Sequence, residues 1–432
     1  MKNNQRHIDS FIAESFKKME ADKDIISNNT LFNEKQKAFK QFEALGFPNT
    51  KIENWKYTDL SKLLNSPFQE AIYDSEQEVK NTFSIKNANT IVILNGQFQK
   101  NKSNIIDKAI TIKKLDEAFK EDSEAINSTF NKITQTNKES LIELNTALSK
   151  DGIYINIPKN SIIEHPIYIQ YINRSSTPSI IQNRSLVIAN EHSQATIIEQ
   201  YIGESKADIL SNSVLECLIH KHAHIKHYKI QTEGKSNNHI TYTLIKQHGN
   251  SVYTNTTCTL GGNITRNNIN VELDGEHIET NLNGLYLTKD KQHVDNTTIV
   301  EHLKSNCQSN ELYKGIMTDE STGVFTGKVI VHPDAQKTNA FQSNKNILLS
   351  DNATINTKPQ LEIFADDVKC SHGATIGQLD EEAIFYLNAR GIPTKQAEAL
   401  LTFAFANDIL KEIEIESIQN YLETSIKTQL NI

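Results

Sequence analysis

Paired cysteines, long apolar runs and an excess of basic charge are all missing from these 432 residues. Cys217, Cys258, Cys307 and Cys370 are the only cysteines and show no paired spacing, which fits reduced thiols better than a disulfide framework. No run approaches the roughly eighteen apolar residues that a membrane-spanning helix needs. The opening MKNNQRHIDSFIAESFKKMEADKD has no apolar core of signal-peptide length, so a cytoplasmic protein without membrane association is expected. Lys and Arg total 45 against 53 Asp and Glu, a net charge of -8, which leaves no electrostatic footprint for nucleic acid. G-x-S-x-G and H-E-x-x-H are also absent, and no acidic pair has a partner that would make an acid/base assignment. GVFTGKV, Gly323 to Val329, comes closest to a phosphate loop. It is one residue short of the Walker A spacing, and Val329 stands where a Mg²⁺-binding hydroxyl is required.

What is present describes a chain of two or three domains with 37% apolar and 23% charged residues, ample for a large core. HIDSFIAESFKKM and LFNEKQKAFKQFEALG carry apolar residues at helical spacing, and the segment from about Lys114 to Ser149 repeats that pattern. TIVILNGQF between them reads as a short buried strand and its turn. Trp55, the single tryptophan, lies in the turn-rich ENWKYTDL. Its Trp-Lys-Tyr setting would suit stacking on a base or flavin, but a lone tryptophan more often anchors one domain on another.

After Asp151-Gly152 the helical signals stop. Short alternating runs such as IYINI, SLVIA, ATIIEQY, HITYTLI and KVIVHP follow, broken by Asn, Gly, Ser and Asp. Steps such as Ala195-Thr196-Ile197, Ala223-His224-Ile225, His277-Ile278, Ala353-Thr354-Ile355 and Ala374-Thr375-Ile376 recur at roughly 20 to 30 residues, a solenoid period. Because Asn-Gly and Asp-Gly hairpin turns are sparse, a β-solenoid is preferred to a β-sandwich. Helices return with DEEAIFYLNARG, capped by Asp380 and closed by Gly391, and with the segments that follow Pro393 and Glu416. The expected domains are 1–150, mostly helical; 151–378, the solenoid; and 379–432, a small helical domain. In the last, Ala397, Leu400, Leu401, Ala404 and Phe405 form a stripe suited to packing on the solenoid end. Phe403 and Ile409, with Leu400, provide apolar surface in excess of that need, suited to a partner.

Cys370 and His372 are the most chemically capable pair. At i and i+2 on a strand they point to one side, and thiolate and imidazole suit iron, zinc or copper. They make half a site, since a metal takes about three or four protein ligands. A buried cysteine beside a hydrogen-bonded histidine would look the same in sequence, and Gly373 permits a break that leaves the facing of His372 open. HKHAHIKH places His220, His222 and His224 on one face if it is a strand, with His227 beyond. Such a row would suit either a metal or an exposed ladder.

The run from Tyr313 to Ile392, including GVFTGKVIVHPDAQKTNAFQSNKNILLSDNATINTKPQLEIFADDVKCSHGATIGQLDEEA, closely resembles the C-terminal half of the SufB/SufD family of iron-sulfur cluster assembly proteins. ENWKYTDL and LNTALSKDGIYINIPKN resemble that family's N-terminal region. The resemblance implies a mainly β fold, a right-handed parallel β-helix between an N-terminal and a small C-terminal helical domain. SufB carries a cysteine and a glutamate where this chain has Asn344 and Gly373, so the likeness is to the SufD side of the family. It also implies a non-catalytic scaffold role, with pairing to SufB through the β-helices and docking of the ATPase SufC on the C-terminal helices. Self-pairing of the isolated chain is compatible with the same surface. His372, and more weakly Cys370, would bind iron or the nascent cluster jointly with SufB, with none held stably by the isolated chain. A carbohydrate-active β-helix enzyme is the alternative, though it would require paired carboxylates on one face.

Overall fold

A computed structural model describes residues 7–22, 29–71, 83–121, 123–133, 139–203 and 205–430. In chain order the strands are β1 (Asn89–Leu94), β2 (Gln97–Phe98), β3 (Thr111–Lys114), β4 (Ile153–Ile157), β5 (Ile167–Ile172), β6 (Ser179–Ala189) and β7 (Gln194–Ile202). Next come β8 (Ile209–Ile219), β9 (His224–Gln231), β10 (Asn237–His248), β11 (Val252–Thr259), β12 (Ile264–Asp274) and β13 (Glu279–Thr288). The last are β14 (His293–His302), β15 (Gln308–Met317), β16 (Thr322–Val331), β17 (Asn339–Leu348), β18 (Thr354–Ile363) and β19 (Lys369–Gly377). From β4 onward even strands stack in one parallel sheet and odd strands in the other, so the chain winds through about 8 turns of a solenoid.

Alternation dictates this arrangement. In each strand one set of side chains points into the solenoid, and parallel register stacks like on like from coil to coil. Ile167, Ile197 and Tyr253 sit in the apolar interior, and Tyr171 pairs with Tyr201 in register, their rings stacked at 4.4 Å. Each such buried apolar side chain contributes about 1.5–3 kcal/mol. The interior begins before residue 151, because β1 pairs in parallel with β5 and closes the first coil through its hairpin with β2.

The true repeat lies in the corners. Asn160, His192, His222, Asn250, His277, Asn306 and Lys337 all adopt positive φ where an even-numbered strand turns into an odd one. Asn and Asp tolerate this left-handed conformation best among residues with a side chain, which removes the need for Asn-Gly hairpins. The small-residue and isoleucine steps are not equivalent positions, since Ala195 pairs with Ile225 within the strands whereas Ala223 precedes β9. The row in HKHAHIKH is likewise no strand face. His222 occupies a corner with its ring 4.5 Å from that of His192, His220 lies 5.6 Å from His248, and His227 is buried inside, bonded to Glu199 and Tyr253.

Both outer sheet faces are covered. Over the even sheet lie α1 (His7–Glu20), α2 (Asn29–Leu45) and α5 (Ser140–Leu148), while α3 (Leu115–Glu121) and α4 (Ser123–Thr129) pack at its first coils. The predicted helical segment 114–149 is therefore borne out in α3 to α5; residues 122 and 134–138 within it lie outside the described residues. Ile8, Ile12, Phe16 and Met19 form the buried stripe of α1, and Phe16 stacks on Phe39 at 3.8 Å. Trp55 is 1% exposed with the Arg266 guanidinium 4.2 Å above its ring. Arg266 in turn pairs with Asp295, which accepts a 2.5 Å bond from Thr58. The tryptophan is thus an interlayer anchor.

Over the odd sheet lie α7 (Thr394–Leu410) and α8 (Glu416–Leu430), which bury Ala406, Ile409, Leu410, Ile418 and Leu422 against Ile198, Tyr228, Ile230 and Leu285. The C-terminal helices cover a face of the solenoid rather than its end. The buried residues of α7 are Ala397, Ala399, Thr402, Ala406, Ile409 and Leu410; of the expected stripe Ala397 is buried, Leu401 and Phe405 are half-buried, and Leu400 and Ala404 are exposed. Its polar residues, among them Lys395, Glu398, Thr402 and Asp408, are spread round the helix rather than gathered on one face, and such a helix gives no direction of facing. Ahead of it α6 (Glu381–Ala389) is capped by Asp380, which accepts from the backbone N–H of Glu382 and Ala383.

Lys35 offers a direct test of how tightly the helical layer is packed. Its amine is buried and donates to the carbonyls of Ser149 at 2.6 Å and Thr146 at 3.2 Å, and burial, then the charge of Arg184, pushes its pKa down from 10.5 to about 7. The unfolded chain therefore binds the extra proton between those values, and folding gains stability as pH rises through that window. Relative to Lys35→Met, the native chain should gain up to about 1.4 kcal/mol per pH unit between pH 7 and 10. Denaturant titrations of both proteins across that range would measure it, and parallel curves would show that the amine stays charged.

Candidate functional site

The site is built where stacking stops. β18 and β19 form the last coil, each hydrogen-bonded to the preceding strand of its sheet and, among the described residues, without a strand on its other edge. Ile363, Phe364 and Ile376 are 40%, 61% and 51% exposed there, and Phe341 on β17 is 45% exposed. Strand edges with apolar neighbours are otherwise masked by charge, bulges or a covering helix. Here both edges stand open.

β19 is unbroken across Gly373, at which an added Cβ would meet nothing within 4 Å. Its register pairs Cys370 with Ala340, His372 with Gln342 and Ala374 with Asn344. Ala340, Gln342 and Asn344 are buried inward-facing residues of β17, so Cys370 and His372 both belong to the inward-facing set. Cys370 packs with Val329, Val331, Ala340 and Leu361, and burial pushes its thiol pKa up, against an opposing backbone hydrogen bond from Ala340. His372, by contrast, lies exposed at the mouth of the solenoid. Among the described residues no group of three His, Cys, Asp or Glu converges on a metal-sized site.

One coil further in, Glu311 pairs in register with Gln342. It is buried, accepts from Thr298 at 2.6 Å and from Gln342 at 3.1 Å, and burial pushes its pKa up to about 7 despite those two bonds. Sequence reasoning missed this residue. Its only signal was one acidic position in the alternating QSNELYKG, and nothing local says that this position faces inward. Asn344 is fully buried, accepting from Asn346 at 2.6 Å and donating to the Tyr313 carbonyl at 3.3 Å. The apparent phosphate loop is β16, whose Gly323 and Gly327 make room for Ile355 and Gln342 and cradle no phosphate.

The expected partner face requires correction. Ile409 is fully buried in the core beneath α7, and Phe403 is half-buried with the Lys427 ammonium 4.7 Å over its ring. Of the three residues expected there, Leu400 is the one that is substantially exposed, at 40%. Its apolar company is on α6, which buries no side chain and exposes Phe385 by 74% and Tyr386 by 57%.

The family model described as SUF system FeS cluster assembly, SufBD core domain, matches residues 171–405, and the SufBD protein N-terminal region matches residues 2–169. The chain belongs to the SufB/SufD family of iron-sulfur cluster assembly proteins. An iron-sulfur cluster assembly SufBD family protein of Synechocystis is 33% identical over 92% of this chain and 91% of its own length. Proteins named iron-sulfur cluster assembly protein SufD from Escherichia coli and Bacillus subtilis are each 27% identical, covering 91% and 93% of this chain and 92% and 94% of their own lengths. Family membership thus supports a role in the SUF system, and the relatives are named as assembly proteins, not as carbohydrate-active enzymes. No helix among the described residues is long and apolar enough to cross a membrane.

Thiol labelling reads the burial of Cys370 directly. Cys217, Cys258 and Cys307 are buried and Cys370 is intermediate, so a maleimide at pH 7 should label native protein at Cys370 alone, more slowly than it labels a free thiol. Mass spectrometry after brief labelling checks this, with Cys370→Ala expected to leave native protein unmodified.

Proposed function

We propose that this chain is a scaffold subunit of iron-sulfur cluster assembly that pairs with a SufB-type subunit through the open end of its solenoid. The observation that carries the reading is the uncapped last coil, with two free strand edges and exposed apolar side chains around His372. A partner strand added to β18 or β19 supplies the missing main-chain hydrogen bonds and covers Ile376 and Phe364. His372, with Cys370 behind it, then faces the partner's ligands, and iron or the nascent cluster is cargo shared across that interface. The imidazole must be neutral and the thiol deprotonated to bind, so metal arrival releases protons. Burial of Cys370 disfavours its thiolate, which leaves His372 as the stronger ligand.

The SufC ATPase docks on the C-terminal helices in this reading, at Phe385, Tyr386 and Leu400. Lys314 on β15 is buried and bonds Asp408 and the Phe405 carbonyl of α7, so displacement of α7 by a nucleotide-driven partner bears on β15. β15 pairs with β17, and β17 with β19. The path from docking helix to His372 is thus continuous packing and hydrogen bonding. This chain transmits the motion and leaves ATP hydrolysis to its partner.

In the co-expressed complex, His372→Ala should leave the subunits together while lowering bound iron severalfold, measured by co-purification and metal analysis. If the complex falls apart, the histidine serves assembly of the interface instead. Phe385→Glu should keep the melting temperature of the isolated chain, because that ring is outside the core. It should weaken SufC binding about tenfold or more by burying an unpaired charge at the interface. SufC affinity equal to that of the unmodified chain would locate the docking surface elsewhere.

A further inference from the structure

Three inward-facing side chains from three adjacent strands, Glu311 of β15, Gln342 of β17 and His372 of β19, stand side by side in register. Opposite them, also in register, are Thr298 of β14, Gly327 of β16 and Pro359 of β18. The facing row is low on bulk where the first carries polar heads. A Cβ at Gly327 would come within 2.3 Å of Gln342 Nε2, so the glycine exists to admit that amide. Gln342 is 3% exposed; its Nε2 donates to Glu311 and its Oε1 has no hydrogen-bond partner among the described residues. Glu311 is held only by the neutral donors Thr298 and Gln342. A buried carboxyl without a cation and a buried amide oxygen without a donor are both costly, and they adjoin an imidazole at the open mouth.

We propose that Glu311, Gln342 and His372 form a divalent-cation site of class Fe²⁺, binding through carboxylate, amide oxygen and imidazole. Strand spacing of about 4.8 Å places Glu311 and His372 on either side of Gln342, so a cation in this row would draw the two outer heads toward the central amide. Mixed nitrogen and oxygen donors favour first-row divalent ions over soft monovalent copper. The cation replaces the Gln342 N–H as the neutralising partner of Glu311, and the freed amide turns its oxygen inward. Positions toward the mouth stay open for water or for a partner subunit's ligand. Cys370, one step along β19 from His372, lies outside the set. The site binds weakly in the isolated chain, as suits cargo in transit.

This inference rests on reading His372 as a ligand for iron, and one experiment separates the two. The full-length chain is titrated with Co²⁺, a spectroscopic stand-in for Fe²⁺, and binding is followed by visible absorption, with circular dichroism confirming the fold of each variant. Saturable binding is expected for the native chain, without a sulfur-to-metal charge-transfer band and unchanged in Cys370→Ala. Glu311→Gln, which keeps the shape and can still accept from Gln342 while the Thr298 hydroxyl turns to accept from the new amide N–H, should weaken it about tenfold or more. Gly327→Ala should weaken it as well, although it removes no donor, and His372→Ala should abolish it. No Co²⁺ binding by the native chain, or equal affinity in Glu311→Gln, overturns the site. In that event a fall in complex-bound iron in His372→Ala still upholds the functional reading. Conversely, Glu311-dependent Co²⁺ binding with undiminished iron in the His372→Ala complex sustains a cation site and refutes its role in assembly.

Discussion

A parallel strand is stable only when its hydrogen-bonding edges are occupied, and the whole molecule is arranged around that requirement. Each coil covers the edges of the one before it, and at the first coil the β1–β2 hairpin and the antiparallel β3 do so. Among the described residues the last coil has no such cap. Exposed β18 and β19, the apolar side chains beside them and the cysteine–histidine pair all coincide at this one unsatisfied place. The coincidence is economical: the same open edge that calls for a partner strand also brings that partner to the ligands.

Stacking also explains why the interior tolerates so much polarity. Because coils repeat in register, a buried donor in one strand meets an acceptor one coil away, and His227 with Glu199 or Lys229 with Asn267 satisfy each other across strands. At the open end Glu311 is met by two neutral donors, Thr298 and Gln342, and the Gln342 amide oxygen is one of several buried polar atoms along the solenoid that lack a partner among the described residues. The helical layers do different work. Buried charge pairs such as Arg184 with Glu216 and Arg266 with Asp295 hold the N-terminal layer in one register on the even sheet. The ties of Lys314 to α7, Tyr421 to Thr232 and Gln429 to the Leu260 carbonyl link the odd sheet to helices that have an exposed apolar flank.

Residue patterns alone determined the division into helical, solenoid and helical parts, the capping of α6 by Asp380 and the interlayer role open to Trp55. They suggested a shared facing for Cys370 and His372, but Gly373 left it open until the unbroken register of β19 fixed it. The family likeness was likewise legible, being carried by long ungapped motifs. Tertiary structure decided everything that depends on register between distant strands. Glu311 and His372 are sixty-one positions apart in sequence, and only two intervening coil-to-coil pairings put them in one row. The corner conformations decided that the histidines of HKHAHIKH would be split between turn and interior. For α7, whose polar residues are spread round the helix, the sheet it met selected Ile409 for the core and left Leu400 outside, because a helix without a distinct polar face contains no local instruction about which side to bury.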